Sequence, residues 1–228
     1  MTVVAEATAK EDADVRRAEF RYGAVFLLTV TLLVFALVAP AGDTSRAVVL
    51  GLEGAALLVV VATSRERPAV RNARARGLGA GAVVVVAAVA LGALPVPVVL
   101  AISGLLMVAI LVALVRGLLR LVRRHGVTLQ VVAGALTIYV LTGLIFTWIV
   151  SFVANVGDAA FFAQGGDGSQ GERVYYSFTV LTTTGFGDFT AATAVGHALA
   201  VVEMLVGQLY LVTVIGVIVG DLAGRSRS

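Results

Sequence analysis

The sequence predicts an all-α integral membrane protein: six transmembrane helices, with a re-entrant helix and loop between the last two. Three observations carry that prediction. The chain is 59% hydrophobic and only 14% charged, with mean hydropathy +1.00, too little charge to cover a soluble domain of 228 residues. Its apolar residues fall in long unbroken runs, not in alternating or amphipathic patterns. Between the last two runs, the segment 155–190 holds a glycine-rich stretch and an apolar piece too short to span.

The chain opens with mixed acids and bases, among them Glu6, Lys10, Glu11, Asp12, Asp14, Arg16, Arg17 and Glu19, which read as a cytoplasmic tail over 1–21 and not as a secretory signal. A bilayer core of about 30 Å takes about 20 apolar residues as a helix. Six runs qualify as expected spans: 22–39, 47–63, 78–94, 96–119, 128–153 and 191–219. Pro95 and Pro97 remove backbone donors and break the third from the fourth. With the N-terminus inside, fifteen of the Lys and Arg residues fall on the cytoplasmic side and only Arg46 and Arg173 fall outside. Both termini are therefore expected in the cytoplasm, with 221–228 as a short second tail, and the cell's inner (plasma) membrane as the location. No internal repeat divides the chain into halves. There is no cysteine, and His125 and His197 alone do not make a metal site. The basic residues sit at span ends, where topology explains them, so no nucleic-acid partner is expected.

The segment before the last span carries the chemistry. Gln164–Gly171 reads as an exposed loop. The ten residues Arg173–Thr182 then read as a short apolar helix, followed by threonines and alternating glycines. Non-helical backbone at membrane depth survives only where protein buries it or water reaches it, so this segment implies a water- or ion-lined site. A dehydrated potassium ion needs several oxygens in place of its hydration shell. Consecutive backbone carbonyls supply them if the backbone alternates in hand, which glycine does at least cost. Gly185 and Gly187 flank Phe186 at alternate positions. One chain gives one strand of such a ring, so a homotetramer is expected.

Thr182-Thr183-Thr184-Gly185-Phe186-Gly187-Asp188 resembles the filter of the potassium-channel pore family, in particular the bacterial two-helix ion channel pore domain, and the filter is also a worked case of carbonyl selectivity. The resemblance covers roughly 128–220. It implies a pore domain over 126–220, and the apolar runs ahead of it are expected to form a four-helix membrane domain over 22–125. The resemblance implies potassium ligands from the carbonyls of Thr183, Thr184, Gly185 and Phe186 and the Thr183 hydroxyl. Asp188 would hydrogen-bond to the pore helix, with Tyr175 and Tyr176 in an aromatic cuff behind the filter. Thr179 stands where some members carry a glutamate. Phe186 replaces the family's tyrosine, and Thr184 its valine or isoleucine.

Gly207 lies in the last span, where similar channels often carry a glycine; it reads either as a bend point or as a close packing contact. Met204, Gln208, Leu211 and Ile215 share a helical face and are expected to line the pore. Glu203, one position off that face, is expected to meet the pore helix and support the filter. Glu53 is expected to snorkel or to pair with Arg46, and His197 to be interfacial. The fourth span has no arginine over 96–115, and Arg116, Arg120, Arg123 and Arg124 cluster at its end, so no voltage sensor is expected. The implied function is a potassium-selective channel subunit with no cofactor beyond the permeant K+ ions, and no enzyme. The rivals are a weakly selective cation channel and a non-conducting sensor or assembly subunit.

Overall fold

The computed structural model describes residues 22–62 and 68–225. The tail expected over 1–21, Arg65, Arg67 and Arg227 lie outside the described residues. Helix α1 runs Tyr22–Val38, α2 Asp43–Ala62, α3 Pro68–Ala90, α4 Val96–His125, α5 Leu129–Val156 and α6 Gln170–Leu181. Helix α7, Ala194–Tyr210, passes through a π-helical turn at Leu211–Ile215 into α8, Gly216–Arg225.

Among the described residues, four stretches are long and apolar enough to cross a membrane: Asp43–Val61, Val96–Arg123, Leu129–Val156 and Ala194–Asp221. The other two expected spans fall on shorter apolar helices, Tyr22–Val38 and Ala75–Ala90. The second of these belongs to α3, which starts at Pro68, ahead of the expected Leu78. Proline suits a first helical position, and the arginine-bearing turns then lead into the apolar run without a break. Chain punctuation sets the ends of α4: Pro95 is its N-cap, Pro97 sits in its first turn, and Gly126, at φ +67°, closes it with an N–H to the Val122 carbonyl.

Helices α1, α2, α4 and α5 share one apolar core, with Val25, Val49, Leu114, Val131 and Leu141 buried in it. Helix α3 packs on α2. Helix α6 packs on α5 and α7, so α5 joins the four-helix layer to the segment that follows α6. The join between α4 and α5 is tight at one place. The Trp148 indole lies against Gly104, where even a Cβ would overlap the ring, and its Nε1–H donates to the Leu100 carbonyl at 2.6 Å.

Glu53 departs from expectation. Arg46 pairs with Asp43 at 2.7 Å instead, while Glu53 is 1% exposed and accepts a hydrogen bond from the Ser103 hydroxyl at 2.7 Å. Its position on α2 turns it toward α4, and a carboxyl buried there requires donors; Ser103 supplies one to Oε1, and Oε2 is buried without a partner.

Gly104→Leu is expected to overpack the α4–α5 join and lower stability by about 1–3 kcal/mol. Trp148→Phe keeps the ring, loses the indole N–H bond, and is expected to cost about 1 kcal/mol. Thermal unfolding of the purified protein in detergent measures both.

Candidate ion-conduction site

Helix α6 begins on a capping box. The Ser169 hydroxyl accepts from the Glu172 N–H at 3.2 Å, and the Glu172 carboxylate accepts from the Ser169 N–H. Hydrogen bonding to the carboxyl from Ser169, first from its backbone N–H and then from its side chain, holds Glu172 below the usual carboxylate range. Upstream, the Asp167 carboxylate accepts from the Phe161 N–H at 2.9 Å. Arg173 donates to the carbonyls of Asp167 and Gly168 at 2.8 and 3.0 Å. The loop is thus tied to the first turn of α6. It is also tied to the chain beyond Asp188. Ala163 N–H donates to the Thr190 carbonyl at 2.9 Å, and Ala192 N–H to the Phe161 carbonyl at 2.8 Å.

At its other end α6 turns sharply. The Thr179 carbonyl accepts from both the Thr184 N–H (2.9 Å) and the Gly185 N–H (3.1 Å), folding the outgoing chain back against the helix. The Thr182 and Thr184 hydroxyls meet at 2.9 Å, which directs the Thr184 side chain toward α6. From there the backbone alternates in hand. Thr183, Gly185 and Gly187 have φ of +57°, +52° and +83°, and the residues between them do not share this conformation. Glycine adopts such angles at no steric cost. A β-branched threonine does not, so Thr183 is strained by an amount on the order of 1–2 kcal/mol. Sequence reading placed the alternation on the two glycines and missed Thr183; extending their period of two back by one step would have found it.

Aromatic rings buttress this segment. Tyr175 stacks on Phe186 at 6.2 Å and 8°, and meets Phe189 edge-on at 6.1 Å. Asp188 lies beside the Tyr175 hydroxyl and, chiefly through that hydrogen bond, raises the phenol above its usual range. The expected tyrosine pair is divided. Tyr175 meets the segment's own ring, whereas Tyr176 is buried with Phe161 and Phe162, on the loop side. Phe189 links the two groups through Phe162 at 5.3 Å. Sequence reading had no signal for Phe161, Phe162 and Phe189, because they are brought together only by the loop pairing.

Helix α7 backs the turn. Gly207 sits against the Leu181 carbonyl at the end of α6, and a Cβ there would drive into that backbone oxygen, so Gly207 makes a close packing contact. Tyr139 of α5 points its hydroxyl at the same carbonyl from 3.4 Å. Glu203 is buried at 1% exposure and faces Ser177 and Tyr176 of α6. No hydrogen bond closes between them, for Glu203 Oε1 and Ser177 Oγ are both buried without a partner. Thr179 spends its own hydroxyl on the Tyr176 carbonyl at 2.8 Å. Met204, Gln208 and Leu211 are exposed, while Ile215 is half-buried and packs on the main core. The π turn explains that difference: an extra residue in the turn moves Ile215 off the face that a regular helix would continue. His197 bonds the Ala191 carbonyl at 2.8 Å.

Residues 182–188 are all exposed in the single chain, and so are the apolar Val201, Val202, Leu205, Leu209 and Val212 of the following helix.

Residues 132–223 match the family model described as "Ion channel", and the match begins in α5 and ends in α8, short of the first four helices. No curated protein and no solved structure matches the chain. The family match supports an ion channel pore family for this part of the chain, and with the apolar helices it supports a multi-pass membrane protein with ion channel function.

Gly207→Ala is expected to force α7 off the end of α6 and to cost about 1–3 kcal/mol, read as a lower unfolding temperature. Ser169→Ala is expected to cost about 1 kcal/mol at neutral pH. Because the folded-state Glu172 carboxyl titrates below its unfolded value, the capping contribution is present above the ordinary carboxylate range and is lost as pH falls through the folded value. The difference between wild type and Glu172→Gln should therefore shrink on acidification, which thermal melts across pH would reveal, whereas Ser169→Ala keeps the backbone N–H that bonds the carboxylate and its loss should change less with pH.

Proposed function

We propose that the chain is one subunit of a homotetrameric potassium channel in which Thr183–Gly187 form the selectivity filter. The observation that carries this reading is the alternating hand of the backbone at Thr183, Gly185 and Gly187. Such a strand can present successive carbonyls to one side, and four strands around an axis would surround a dehydrated ion. In this reading the carbonyls of Thr183, Thr184, Gly185 and Phe186 and the Thr183 hydroxyl bind K+. Helix α6 is a re-entrant pore helix, and Asp188, Tyr175, Tyr176, Thr179 and Glu203 support the filter from behind. The exposure of 182–188 and of the apolar α7 face supports assembly, since neighbouring copies would cover both.

The pore domain then occupies 126–220 and the four-helix domain 22–125, giving six spans with both termini in the cytoplasm of a plasma-membrane protein. Met204, Gln208 and Leu211 line the cavity below the filter, and Ile215 lies at the edge of that lining. The arginines Arg116, Arg120 and Arg123 are exposed and confined to the last turns of the Val96–Arg123 stretch, with none over 96–115, which favours a role in topology over voltage sensing.

Potassium or thallium flux into liposomes holding the purified protein is expected, with loss of at least tenfold in Gly185→Ala, where a Cβ is strained by φ +52°. Reversal near the potassium equilibrium potential in a sodium–potassium gradient is the expected outcome; reversal near zero would establish the weakly selective alternative, and absent flux the non-conducting one. Conductance is expected to change little with voltage.

A further inference from the structure

A cavity of about 270 Å³ lies where the four-helix layer meets α5 and α6, on the side of the protein that carries the 155–190 loop. It is not part of the conduction site, and its construction is two-sided. Away from the arginines the lining is mostly apolar, with Leu32 of α1, Leu100 and Met107 of α4 and Leu144 of α5, interrupted by the buried hydroxyls of Ser103, Thr147 and Ser151. The mouth is cationic: Arg46 and Arg173 both line it, and none of the described lining residues is acidic. Arg46 and Arg173 are the two basic residues among the described lining residues.

The nearby acids have other work. Asp43 faces Arg46 across an exposed pair, Asp167 holds the Phe161 N–H, and Glu172 caps α6. Arg173 uses Nε and one Nη2 hydrogen on backbone carbonyls, and Arg46 uses Nη1 on Asp43. A guanidinium has five N–H donors, so each keeps donors for an anion. Burial lowers the Arg173 pKa; Asp167 opposes that shift, Arg46 adds to it by repulsion, and Glu172 opposes it. A bound anion would compensate the lost hydration and offset the repulsion.

We propose that this cavity holds one anionic phospholipid, its phosphate between Arg46 and Arg173 and an acyl chain in the apolar interior. Free phosphate fits the mouth but leaves the interior without an occupant. A lipid satisfies both, and the position at the junction lets it bridge the four-helix layer to the helix that precedes the 182–188 segment. The proposal does not depend on ion conduction, and its readout is binding alone.

The test takes the full-length protein from vesicles of equal phosphatidylglycerol and phosphatidylcholine, and counts retained lipids by native mass spectrometry. Phosphatidylglycerol is expected to be enriched over its share in the vesicle, and Arg46→Gln to reduce that enrichment about fivefold, the effect of one arginine near an anionic lipid surface. The Arg46–Asp43 pair is exposed, so this variant should fold as wild type does. Leu100→Trp, which fills the interior and keeps both arginines, is expected to lose the enrichment as well. Inorganic phosphate at millimolar concentration should leave the lipid in place. Equal enrichment in Arg46→Gln, unchanged enrichment in Leu100→Trp, or full displacement by inorganic phosphate would each overturn the proposal.

Discussion

One carbonyl governs the region around the 182–188 segment. The Thr179 oxygen takes two N–H groups, from Thr184 and Gly185, just past the end of α6. A chain leaving a helix has backbone groups to satisfy. Satisfying two of them on one oxygen turns the chain back within a few residues. The left-handed Thr183 follows from that turn, since the backbone has to reverse between α6 and the bonded amides. Everything behind it then has to hold the end of α6 still. Gly207 allows α7 to touch the Leu181 carbonyl, and Tyr139 approaches the same oxygen from α5.

The rings serve the same purpose on the opposite flank. Tyr175, Phe186, Phe189, Phe162, Tyr176 and Phe161 form a continuous series of contacts from the segment to the loop before α6. The loop in turn is paired to residues 190–192. The two ends of the 155–190 region therefore support each other through apolar contact and backbone pairing, with few charges involved.

Much of this was legible in the sequence because it rests on strong local signals. Apolar runs gave the helices, Pro95 and Pro97 the break before α4, and the spaced glycines the alternating backbone. What was not legible depended on register between distant parts of the chain. The helix over 170–181 began earlier than the apolar residues alone implied, because Ser169 and Glu172 cap it. Glu53 was misassigned because its partner Ser103 is fifty residues away and carries no charge. Adjacent tyrosines were treated as one group, though successive positions on a helix point about 100° apart and cannot meet the same surface. Ile215 was placed by a 3.6-residue period that the π turn interrupts.

That π turn also divides the last helix into two parts with separate rotational settings. Above it, contacts with the end of α6 fix which side chains face where. Below it, Ile218 alone among the described α8 side chains is buried. The turn is equivalent to one inserted residue, so removing a residue from 211–215 would let a regular helix run through while rotating the lower part by about 100°. The upper half would not register the loss. Sequence length in this helix is thus a rotational coordinate: a single-residue deletion redirects the lower segment as a whole, where a point substitution changes one side chain.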